Sequence, residues 1–469
     1  MKNRQDKIQK PVDVLILAAG LGTRMKSRQA KVLHKLDGRP LIAHVCRTAA
    51  SIGPGKICVV VGHQAPEVIS AVNDELGNDN AEFATQTKQL GTGDAVSAAK
   101  GAFADRHAAI LVLSGDVPLV KKETLLTLIR AHEEQQGACT ILTVRLENPT
   151  GYGRILRDEK GLFAKIVEQK DANDEERAIR EINAGIYCFD SQKLFSALER
   201  VQPNNRQGEY YLTDVPEILR RDGERVGVYL HSDAREVSGV NNRAELAEFE
   251  NLLRRGTIRR LMLDSGVTFI DPSHAYVSAE ARIGSDCIIH PDVHIEGKSV
   301  IAEGCEIHQG SRITDSRLGS RVVIKDHCVI VDSDIADDCA VGPFAHLRMN
   351  ARMEERAVVG NFVEVKKSRI GRDSKSMHLT YLGDATIGAK TNIGAGTVTC
   401  NYDGQRKHET VIEDNVKIGS DTMLVAPVRV GSGAVTGAGS VVTEDVPANT
   451  LVAGVPARVK KKLTENEKK

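Results

Sequence analysis

The amino-acid sequence predicts two fused domains of different fold class. The first is an α/β domain with a Rossmann-like, mostly parallel sheet, and the second is an all-β domain wound as a parallel β-helix of hexapeptide repeats. Apolar strand-like runs alternate with helical stretches in the first half, which is typical of βαβ units. After about residue 265, aliphatic residues recur every six positions. Tryptophan is absent and aromatic residues make up only 4% of the chain, which suits a narrow interior of small aliphatic side chains.

A chain of 469 residues is too long for one ordinary hydrophobic core, so more than one domain is expected. We place an N-terminal domain at residues 1–243, an exposed linker helix at 244–264 and the repeat domain at 265–469. The last ten residues, Lys460–Lys469, are polar and rich in lysine. We expect them to form a short frayed tail rather than a binding patch.

The first half contains alternating strands and helices. Strands are predicted over Val12–Leu17, Lys56–Val61, Ala108–Ser114 and Ala138–Val144, and helices over Leu41–Ser51 and Lys121–Gln136. In a parallel sheet, ligands bind at the carboxyl ends of the strands. Glycine-containing turns follow Leu17 and Ser114, so both turns are candidate binding loops.

The aliphatic hexad runs from Val277 to Val430 with few slips, such as the five-residue steps at Leu318 and Ile335. Six-residue spacing fits neither a helix nor a hairpin. It indicates a parallel β-helix, in which each step makes one short strand and a corner, and the aliphatic residue points inward. Two stretches, Arg372–Tyr381 and Cys400–Thr410, interrupt the hexad. We predict that both are inserted loops and candidate sites.

Composition argues against several classes of function. The 63 basic and 63 acidic residues balance, so the charge favours neither nucleic acid nor an anionic membrane surface. The first ten residues lack the apolar core of a secretory signal, and no apolar run approaches the ~20 residues of a membrane-spanning helix. The nine cysteines are dispersed, without the Cys/His spacing of a zinc site, and we expect reduced thiols and a cytoplasmic location.

The loop after the first strand, Leu17–Met25, contains two glycines that let backbone N–H groups approach a phosphate. Arg24 and Lys31 could neutralise charge on a transferring phosphoryl group. Read alone, each is a solvated surface cation, and the loop has the alternative of a tight strand-to-helix turn. Read with the glycines, the two cations look like a triphosphate clamp. Asp116 follows a buried strand, where a carboxylate can hold Mg²⁺ or simply form a turn.

Several motifs, in order along nearly the whole chain, resemble one bacterial enzyme family. They are Leu17–Met25, Lys31–His34, Gln89–Gly93, Gly115–Pro118, Tyr152–Ile155, Glu181–Gly185, Gly208–Asp214 and, in the repeat half, Ser376–Tyr381. The family is the bifunctional N-acetylglucosamine-1-phosphate uridyltransferase/glucosamine-1-phosphate N-acetyltransferase. The resemblance implies a nucleotidyltransferase domain, a left-handed β-helix acetyltransferase domain, and a homotrimer whose acetyltransferase sites are shared between neighbouring chains.

For the N-terminal domain, the resemblance implies that Arg24 and Lys31 are catalytic cations and that Asp116 and Asn241 hold Mg²⁺. The residues implied to bind UTP or the UDP-N-acetylglucosamine product are Leu17, Ala18, Gly20, Lys31, Gln86, Gly91, Thr92, Ser114, Asp116, Gly153, Glu168, Asn183 and Asn241. One departure is Ala30, since the family usually has proline before the lysine. The substitution predicts a looser loop around Lys31.

For the repeat domain, acetyl transfer to an amine needs a base, and a histidine with an ordinary pKa of ~6.5 suits this role. A lone histidine is usually structural or solvated, but His378 lies in a motif that resembles the family's His-Leu-Thr-Tyr. The resemblance implies that glucosamine 1-phosphate is bound by Arg348, Lys366, Tyr381 and Asn392, and acetyl-CoA by Ala395, Asn401, Tyr402, Ser420 and Ala438. A second departure is the lack of an arginine near the final Val-Pro, for which Arg458 or Lys460 could substitute.

The function implied is synthesis of UDP-N-acetylglucosamine from glucosamine 1-phosphate, acetyl-CoA and UTP, with no nucleic-acid or membrane partner. Two alternatives stay open. The chain could be another sugar nucleotidyltransferase whose hexads are only structural, or a non-catalytic relative that serves as an interaction subunit. The loop around His378 argues against the first. The second need not keep Lys31, Asp116, Asn241 and His378 together.

Overall fold

The computed structural model describes residues 12–464. The chain divides into two compact units, Met1–Phe249 and Glu250–Lys469. The expectations for the first ten residues and for residues 465–469 of the tail lie outside the described residues. Within the described range, no helix combines the length and the apolar character needed to cross a membrane.

The first unit is built around one twisted sheet. Its strands are β1 Val12–Leu17, β2 Lys35–Leu36, β3 Arg39–Pro40, β4 Ile57–Val61, β5 Glu82–Thr85, β6 Ala109–Ser114, β7 Cys139–Arg145, β8 Arg154–Arg157, β9 Phe163–Val167, β10 Glu181–Asp190 and β11 Val226–Leu230. The helices that begin within this unit are α1 Leu41–Ser51, α2 Ala65–Leu76, α3 Thr92–Ala98, α4 Lys122–Gln135, α5 Asp174–Arg177, α6 Ser191–Leu198, α7 Val215–Arg221 and α8 Arg243–Asp264.

The order across this sheet is β11-β7-β10-β6-β1-β4-β5. All pairs on this path are parallel except those of β10, which runs antiparallel to β6 and β7. The hairpin β8–β9 attaches to β10, and β2 and β3 form a separate small hairpin. The predicted α/β class with a mostly parallel sheet is confirmed. The predicted strands and helices lie within one residue of the observed bounds.

The central strands are apolar because both faces of the sheet are covered. Strand β1 is buried through Ile16, and β4 is buried along its whole length. Two hydrophobic clusters form, one on each face of the sheet, and alternate residues of β1 contribute to them: Val14 to one and Leu15 to the other. This rigid layer fixes where the carboxyl ends of β1 and β6 stand.

Helix α8 begins with a reciprocal cap. The backbone N–H of Glu245 donates to Asn242 Oδ1 (3.0 Å), and the Asn242 amide donates back to the Glu245 carboxylate (2.6 Å). The boundary between the two units falls inside this helix. The sequence-based boundaries at residues 243 and 264 stay a prediction. Ile258 and Leu261 are buried in the core of the second unit.

The second unit is a three-sided prism whose described strands form three parallel sheets. Face one contains Thr268–Phe269, Ile288–Ile289, Glu306–Ile307, Val323–Ile324, Ala340–Val341, Val358–Asn361, Lys375–His378, Asn392–Ile393, Lys417–Ile418, Val435–Thr436, Thr450–Ala453 and the antiparallel Arg458–Lys462. Face two contains Ala275–Val277, Val293–Glu296, Arg312–Thr314, Val329–Val331, His346–Arg348, Glu364–Lys366, Tyr381–Gly383, Val398–Cys400, Met423–Val425 and Val441–Val442. Face three contains Arg282–Ile283, Val300–Ile301, Arg317–Leu318, Ser333–Ile335, Ala351–Met353, Arg369–Ile370, Ala385–Ile387, Thr410–Ile412 and Val428–Val430.

The hexad produces this left-handed parallel β-helix, as predicted. Equivalent aliphatic residues of successive coils stack in register: Ile295 pairs with Ile313, and Ile313 pairs in turn with Ile330. The predicted inward residues from Val277 to Val430 are all buried in one continuous core. Each five-residue step shortens its coil slightly without breaking the ladder.

Of three expectations for the second unit, the inserted loop at Cys400–Thr410 is confirmed, and the inserted loop at Arg372–Tyr381 and the fraying from Lys460 are wrong. Arg372–Tyr381 is not an inserted loop, because Ser376 takes the inward position between Val359 and Ile393 in an ordinary rung. The hexad seemed interrupted only because serine does not look like a core residue. Cys400–Thr410 does contain an insertion, since Ile393 pairs with Ile418 and the coil between them is longer than its neighbours. The tail expected to fray from Lys460 forms a strand as far as Lys462.

The inward serine allows a test of the packing. Ser376 is fully buried and its hydroxyl has no hydrogen-bond partner among the described residues. We expect Ser376→Ala to stabilise the second unit by about 1 kcal/mol, because it removes an unsatisfied buried group. Calorimetric unfolding of the full chain would measure the change.

Ser374→Ala is the matched control. Ser374 is also buried, but its hydroxyl donates to Gly388 O (2.6 Å) and accepts from the Thr391 N–H (2.8 Å). Its loss should destabilise the unit by about 1–3 kcal/mol. Equal destabilisation by both substitutions would show that the Ser376 hydroxyl contributes to stability after all.

Candidate active sites

The first site forms where two parallel strands end side by side. The Gly115 N–H donates to Leu17 O (2.9 Å), which joins the loops that follow β1 and β6. The Val240 N–H donates to Asp116 O (2.9 Å), which brings in the segment before α8. Three distant parts of the chain therefore meet at the sheet edge where the sequence predicts ligand binding.

Four predicted residues contact one another at this edge. The Lys31 ammonium donates to the Asp116 carboxylate and lies 3.3 Å from Asn241 Oδ1. Arg24 donates to the same Asn241 oxygen (2.7 Å). A carboxylate and an amide oxygen thus face a shared positive charge, and both are oxygen ligands of the kind Mg²⁺ prefers. The donor set fits that ion.

The loop that carries these cations depends on one glycine. Gly22 has a φ of 66°, and a Cβ added there would lie 2.4 Å from the Lys31 Cβ. Any side chain at this position would displace the lysine. The glycine therefore permits the chain to pass close beside Lys31.

Ala30, the departure from the family pattern, is restrained by a hydrogen bond instead of a proline ring. Its φ of −55° lies within the range that a proline ring would impose at this position. Its N–H, which proline would lack, donates to Gln64 Oε1 (2.6 Å). A hydrogen bond to the start of α2 thus anchors the residue before Lys31. Sequence reasoning missed Gln64, because no motif links it to the glycine loop.

A second group of predicted residues lies around Gln86. Its buried side chain donates to Gly91 O (3.0 Å) and to the Asp94 carboxylate (2.8 Å). Gly91 has a φ of 112°, and a Cβ there would lie 2.5 Å from Tyr210 O. Thr92 Oγ1 accepts from the Leu212 N–H (3.0 Å). The motifs Gln89–Gly93 and Gly208–Asp214 therefore pack directly on each other.

A third group comprises Gly153, Glu168 and Asn183. The Asn183 N–H donates to Gly153 O (2.9 Å), and a Cβ on Gly153 would lie 3.3 Å from Glu168 Oε1. Burial raises the pKa of Glu168, whose carboxylate accepts from the Thr213 hydroxyl (3.1 Å). Thr213 is next to Leu212, so one segment joins this group to the Gln86 group.

The predicted positions Leu17, Ala18, Gly20 and Ser114 line the strand ends between these groups. Leu17 and Ser114 are direct partners in the β1–β6 ladder, and Ala18 continues β1 by donating to Val60 O (2.9 Å). Gly20 is exposed and has nothing near the position of its absent Cβ. This leaves open backbone at the loop tip, where an anion can approach N–H groups.

The second site centres on His378 at the end of a face-one strand. The side chain is exposed, and its Nδ1 hydrogen bonds to Asn361 Oδ1 (2.6 Å) in the preceding rung. With the amide oxygen as the partner, the tautomer that satisfies this contact has the proton on Nδ1 and a lone pair on Nε2. This is the tautomer that a general base requires. Sequence reasoning missed Asn361, although it stands one coil before His378 in the repeat.

The corner at His378 repeats along the prism as a column that we call the corner column: Asn361, His378, Ala395, Ser420 and Ala438. At each step a backbone N–H donates to the carbonyl of the preceding rung, from Leu379 to Asn361 (3.0 Å), Gly396 to His378 (3.4 Å), Asp421 to Ala395 (2.6 Å) and Gly439 to Ser420 (2.8 Å). The three residues predicted for acetyl-CoA thus follow His378 one rung at a time. Their side chains are small, so none of the three fills the space beside the column with a bulky group.

A cationic cluster lies on face two beside this corner. Arg348 and Lys366 are ladder partners, and Tyr381 is paired with Glu364 on the next rung. Glu364 accepts from Arg348 Nε (2.8 Å). The predicted residues Arg348, Lys366 and Tyr381 are therefore brought together.

Lys366 is buried within this cluster. Its ammonium lies 3.9 Å from the Asp384 carboxylate, which also accepts from the Asn401 amide (2.7 Å). A hydrogen-bonding contact with Lys366, together with charge repulsion, lowers the pKa of Lys407. Asp384 also pairs with Lys367 (3.4 Å), so with Lys407 three lysines lie around one carboxylate and the cluster carries surplus positive charge. Lys407 and Asp384 lie in or beside the inserted coil, and no motif had marked them.

Two predicted residues stand apart from the cluster. Asn392 lies on face one, paired with Lys375 and Lys417. Tyr402 is exposed on the inserted loop, and its hydroxyl donates to Gly404 O (2.6 Å). Among the described residues, no hydrogen bond or ion pair joins either side chain to Lys366 or His378.

The fold and the two sites define a two-domain transferase. Residues 14–208 match the MobA-like NTP transferase domain, residues 272–375 the GMPPB C-terminal domain, and residues 409–444 the bacterial transferase hexapeptide. The chain is an enzyme with a nucleotidyltransferase unit and a hexapeptide acyltransferase unit.

Similar proteins identify the particular family. The bifunctional protein GlmU of Heliobacterium modesticaldum is 50% identical over 96% of this chain and 96% of its own length. Those of Syntrophomonas wolfei and Streptococcus agalactiae are 48% and 44% identical over 94% and 97% of this chain, and 96% and 97% of their own lengths. The chain belongs to the GlmU family of bifunctional proteins. Both alternatives, inert hexads and a non-catalytic subunit, are thereby rejected.

The Gln64 anchor generates a prediction. Gln64→Ala should lower kcat/KM for uridylyl transfer up to tenfold, because the freed Ala30 N–H no longer fixes the backbone beside Lys31. Ala30→Pro should stay near wild type, since its φ already suits proline. In the Ala30→Pro background, Gln64→Ala should cost nothing further, because the N–H is gone.

Acetyl transfer by the same preparations is the internal control and should not change. An equal loss from Gln64→Ala in both backgrounds would show that Gln64 acts through α2 rather than through Ala30.

Proposed function

We propose that the two units perform consecutive steps. The second unit transfers the acetyl group of acetyl-CoA to glucosamine 1-phosphate, and the first couples the N-acetylglucosamine 1-phosphate product to UTP, giving UDP-N-acetylglucosamine and pyrophosphate. The observation that supports this most is that each unit has its own reactive cluster. One places Lys31 and Arg24 against Asp116 and Asn241, and the other places His378 on Asn361 at one end of the corner column.

Uridylyl transfer needs no covalent nucleophile. A phosphate oxygen of the sugar substrate attacks the α-phosphorus of UTP, a new P–O bond forms, and the bond to pyrophosphate breaks. Lys31 and Arg24 would leave Asp116 and Asn241 to bind phosphate oxygens, which brings the two anions together and aligns them. Asp116 and Asn241 would hold Mg²⁺, which supplies charge neutralisation for the phosphates.

The other predicted residues of this unit would select the substrates. The Gln86 amide, with Gly91 and Thr92, is suited to read the hydrogen-bonding edge of uracil. Glu168 and Asn183 supply polar groups for the sugar hydroxyls and the N-acetyl group, with Gly153 giving close access. A carboxyl whose pKa is raised by burial gains most from a hydroxyl donor, which supports placing the sugar there.

Acetyl transfer would use His378 as the general base. The amine of glucosamine 1-phosphate attacks the thioester carbonyl, Nε2 takes the amine proton, and the coenzyme A thiolate leaves. Acetyl-CoA would lie along the corner column, against Ala395, Ser420 and Ala438, with its thioester at His378. Asn401 and Tyr402 would stand near the acetyl group.

The sugar phosphate would bind at the face-two cluster. A phosphate dianion placed between Lys366, Lys407 and Arg348 would relieve the repulsion that lowers the pKa of Lys407. Tyr381 lies beside this cluster and would contact the sugar. Asn392 is implied to bind the sugar as well, but it lies on another face of the same chain.

We expect a cytoplasmic homotrimer, in which a neighbouring copy completes the acetyltransferase site. Support comes from Phe362 and Leu379, which follow the first two residues of the corner column, and from Phe344 one rung earlier. These side chains are bulky, apolar and 55%, 64% and 48% exposed. Phe344 and Phe362 stack at 5.3 Å between ring centroids. Exposed apolar rows of this kind mark interaction surfaces, and this one borders His378.

Separate variants should separate the two activities. Lys31→Ala should lower uridylyl transfer at least 100-fold and leave acetyl transfer unchanged, because it removes the phosphate-binding cation. His378→Ala should do the reverse, with a 10²–10⁴-fold loss typical of a missing base. A coupled assay with acetyl-CoA, glucosamine 1-phosphate and UTP measures both, with and without Mg²⁺. Near-normal acetylation by His378→Ala would refute the base assignment.

The trimer is tested by sedimentation. The full chain should sediment as three copies, and Phe362→Glu should dissociate it and reduce acetyl transfer far more than uridylyl transfer. Ile270→Glu, at an equally exposed apolar residue remote from His378, is the control and should leave the trimer intact. A wild-type monomer, or a Phe362→Glu trimer, would contradict the proposal.

A further inference from the structure

A second cluster of polar side chains lies on face one of the prism, many rungs before His378. His290 and His308 follow strands that pair directly, Ile289 with Ile307, so the two imidazoles stand on adjacent rungs. Their rings stack with centroids 4.6 Å apart and an interplanar angle of 9°. Glu306 lies two residues before His308 on the same outward face.

The three side chains converge on one point. Glu306 Oε1 lies 3.1 Å from His290 Nε2 and 3.3 Å from His308 Nε2, and the three ligand atoms all lie within 4.8 Å of one another. In a tetrahedral site with bonds of about 2.0–2.1 Å, ligand atoms stand about 3.3 Å apart. The carboxylate–imidazole distances match that spacing. The two imidazoles must also come closer and rotate out of their stacked arrangement, so that both Nε2 lone pairs point at the same ion.

We propose that His290, Glu306 and His308 form a binding site for a divalent transition-metal ion of the Zn²⁺ class. Two imidazoles and one carboxylate suit zinc, cobalt or nickel, whereas magnesium and calcium prefer oxygen ligands alone. The site is therefore chemically distinct from the Asp116–Asn241 pair. Three protein ligands leave the fourth position of the ion to water.

The fold holds these ligands without a local sequence motif. The two histidines are one full coil apart, so the spacing differs from that of a zinc finger or a zinc protease, and the expectation of no zinc site rested on such spacing. Each histidine's backbone N–H is fixed in the ladder, His290 to Ile307 O (2.9 Å) and His308 to Ile324 O (2.8 Å). The ligands are preorganised by strands rather than by a loop, and a bound ion would join two rungs.

The surroundings allow binding from solvent. The side chains of His290 and His308 are 28% and 29% exposed, and that of Glu306 is 40% exposed. The next rung presents Lys325 at the position equivalent to His308, since Ile307 pairs with Ile324. Its positive charge lowers affinity somewhat, and the flexible side chain can turn toward water.

Titration of the full chain with Zn²⁺ in excess Mg²⁺ tests the proposal. We expect one Zn²⁺ per chain by calorimetry, with affinity falling at least tenfold in His290→Ala and in His308→Ala. Glu306→Gln keeps the shape but weakens the ligand, and it should also lose affinity. Co²⁺ should give the absorption of a tetrahedral site without thiolate bands, which separates this site from the cysteines.

His294→Ala is the matched control. His294 is a half-exposed histidine of the same prism, stacked on Tyr276 at 4.5 Å and 3.9 Å from the Glu296 carboxylate, but it has no second imidazole. The His294→Ala variant should bind Zn²⁺ with the same affinity and stoichiometry as the wild-type protein. No stoichiometric Zn²⁺ binding, or the same affinity in wild type and both histidine variants, would overturn the proposal and leave ordinary carboxylate–imidazole pairs.

Discussion

In-register pairing of parallel strands is the constraint on which both sites depend. Parallel strands end at the same edge, and equivalent residues stand side by side about 4.8 Å apart. In the first unit this places the loop after Leu17 beside the loop after Ser114. In the second it stacks Asn361 and His378 directly, and repeats the same corner at Ala395. Paired strands therefore fix the position of His378 in the second site and, in the first, the positions from which the loops that carry the reactive residues begin.

Both sites pair their own cations with their own carboxylates. Lys31 donates to Asp116, and Lys366 faces Asp384. These contacts keep partly buried cations paired, which avoids the cost of an unpaired charge. They also hold the two ammonium groups at the positions where we propose that substrate phosphates bind. The surplus positive charge of Lys366, Lys367 and Lys407 favours an anion here, since Asp384 alone cannot balance three lysines.

The sequence predicts the parts of this structure that depend on local periodicity. The hexad marks each inward aliphatic residue, and alternating apolar runs mark β1, β4 and β6, because burial of one strand face or one strand interior leaves its period in the chain. The inward position of Ser376 was not predicted, because a serine does not contribute to an aliphatic period. The antiparallel direction of β10 was not predicted, because the direction of a strand within a sheet is decided by tertiary packing and not by the strand's own residues.

Partners that act across rungs or across the sheet were the hardest to predict. Gln64 and Asn361 each hold a neighbour of a reactive residue, and each is chosen by register or by the packing of α2, not by adjacency in the chain. For Asn361 the regular coil length was a usable signal, because counting one coil back from His378 leads to it. No comparable count leads from Lys31 to Gln64.

The two departures from the family pattern follow one physical logic. At Ala30, a ring that would restrict φ is absent, and a hydrogen bond from the freed N–H supplies the restraint. In the second unit, Gly454 lies one rung beyond Ala438, because Thr436 pairs with Val452. The strand Arg458–Lys462 then turns back antiparallel and pairs Arg458 with Ala453. Its exposed guanidinium, 3.5 Å from Glu444, is thus returned to this rung. The Gln64 side chain supplies the restraint at Ala30, and the antiparallel pairing of the final strand sets where Arg458 lies.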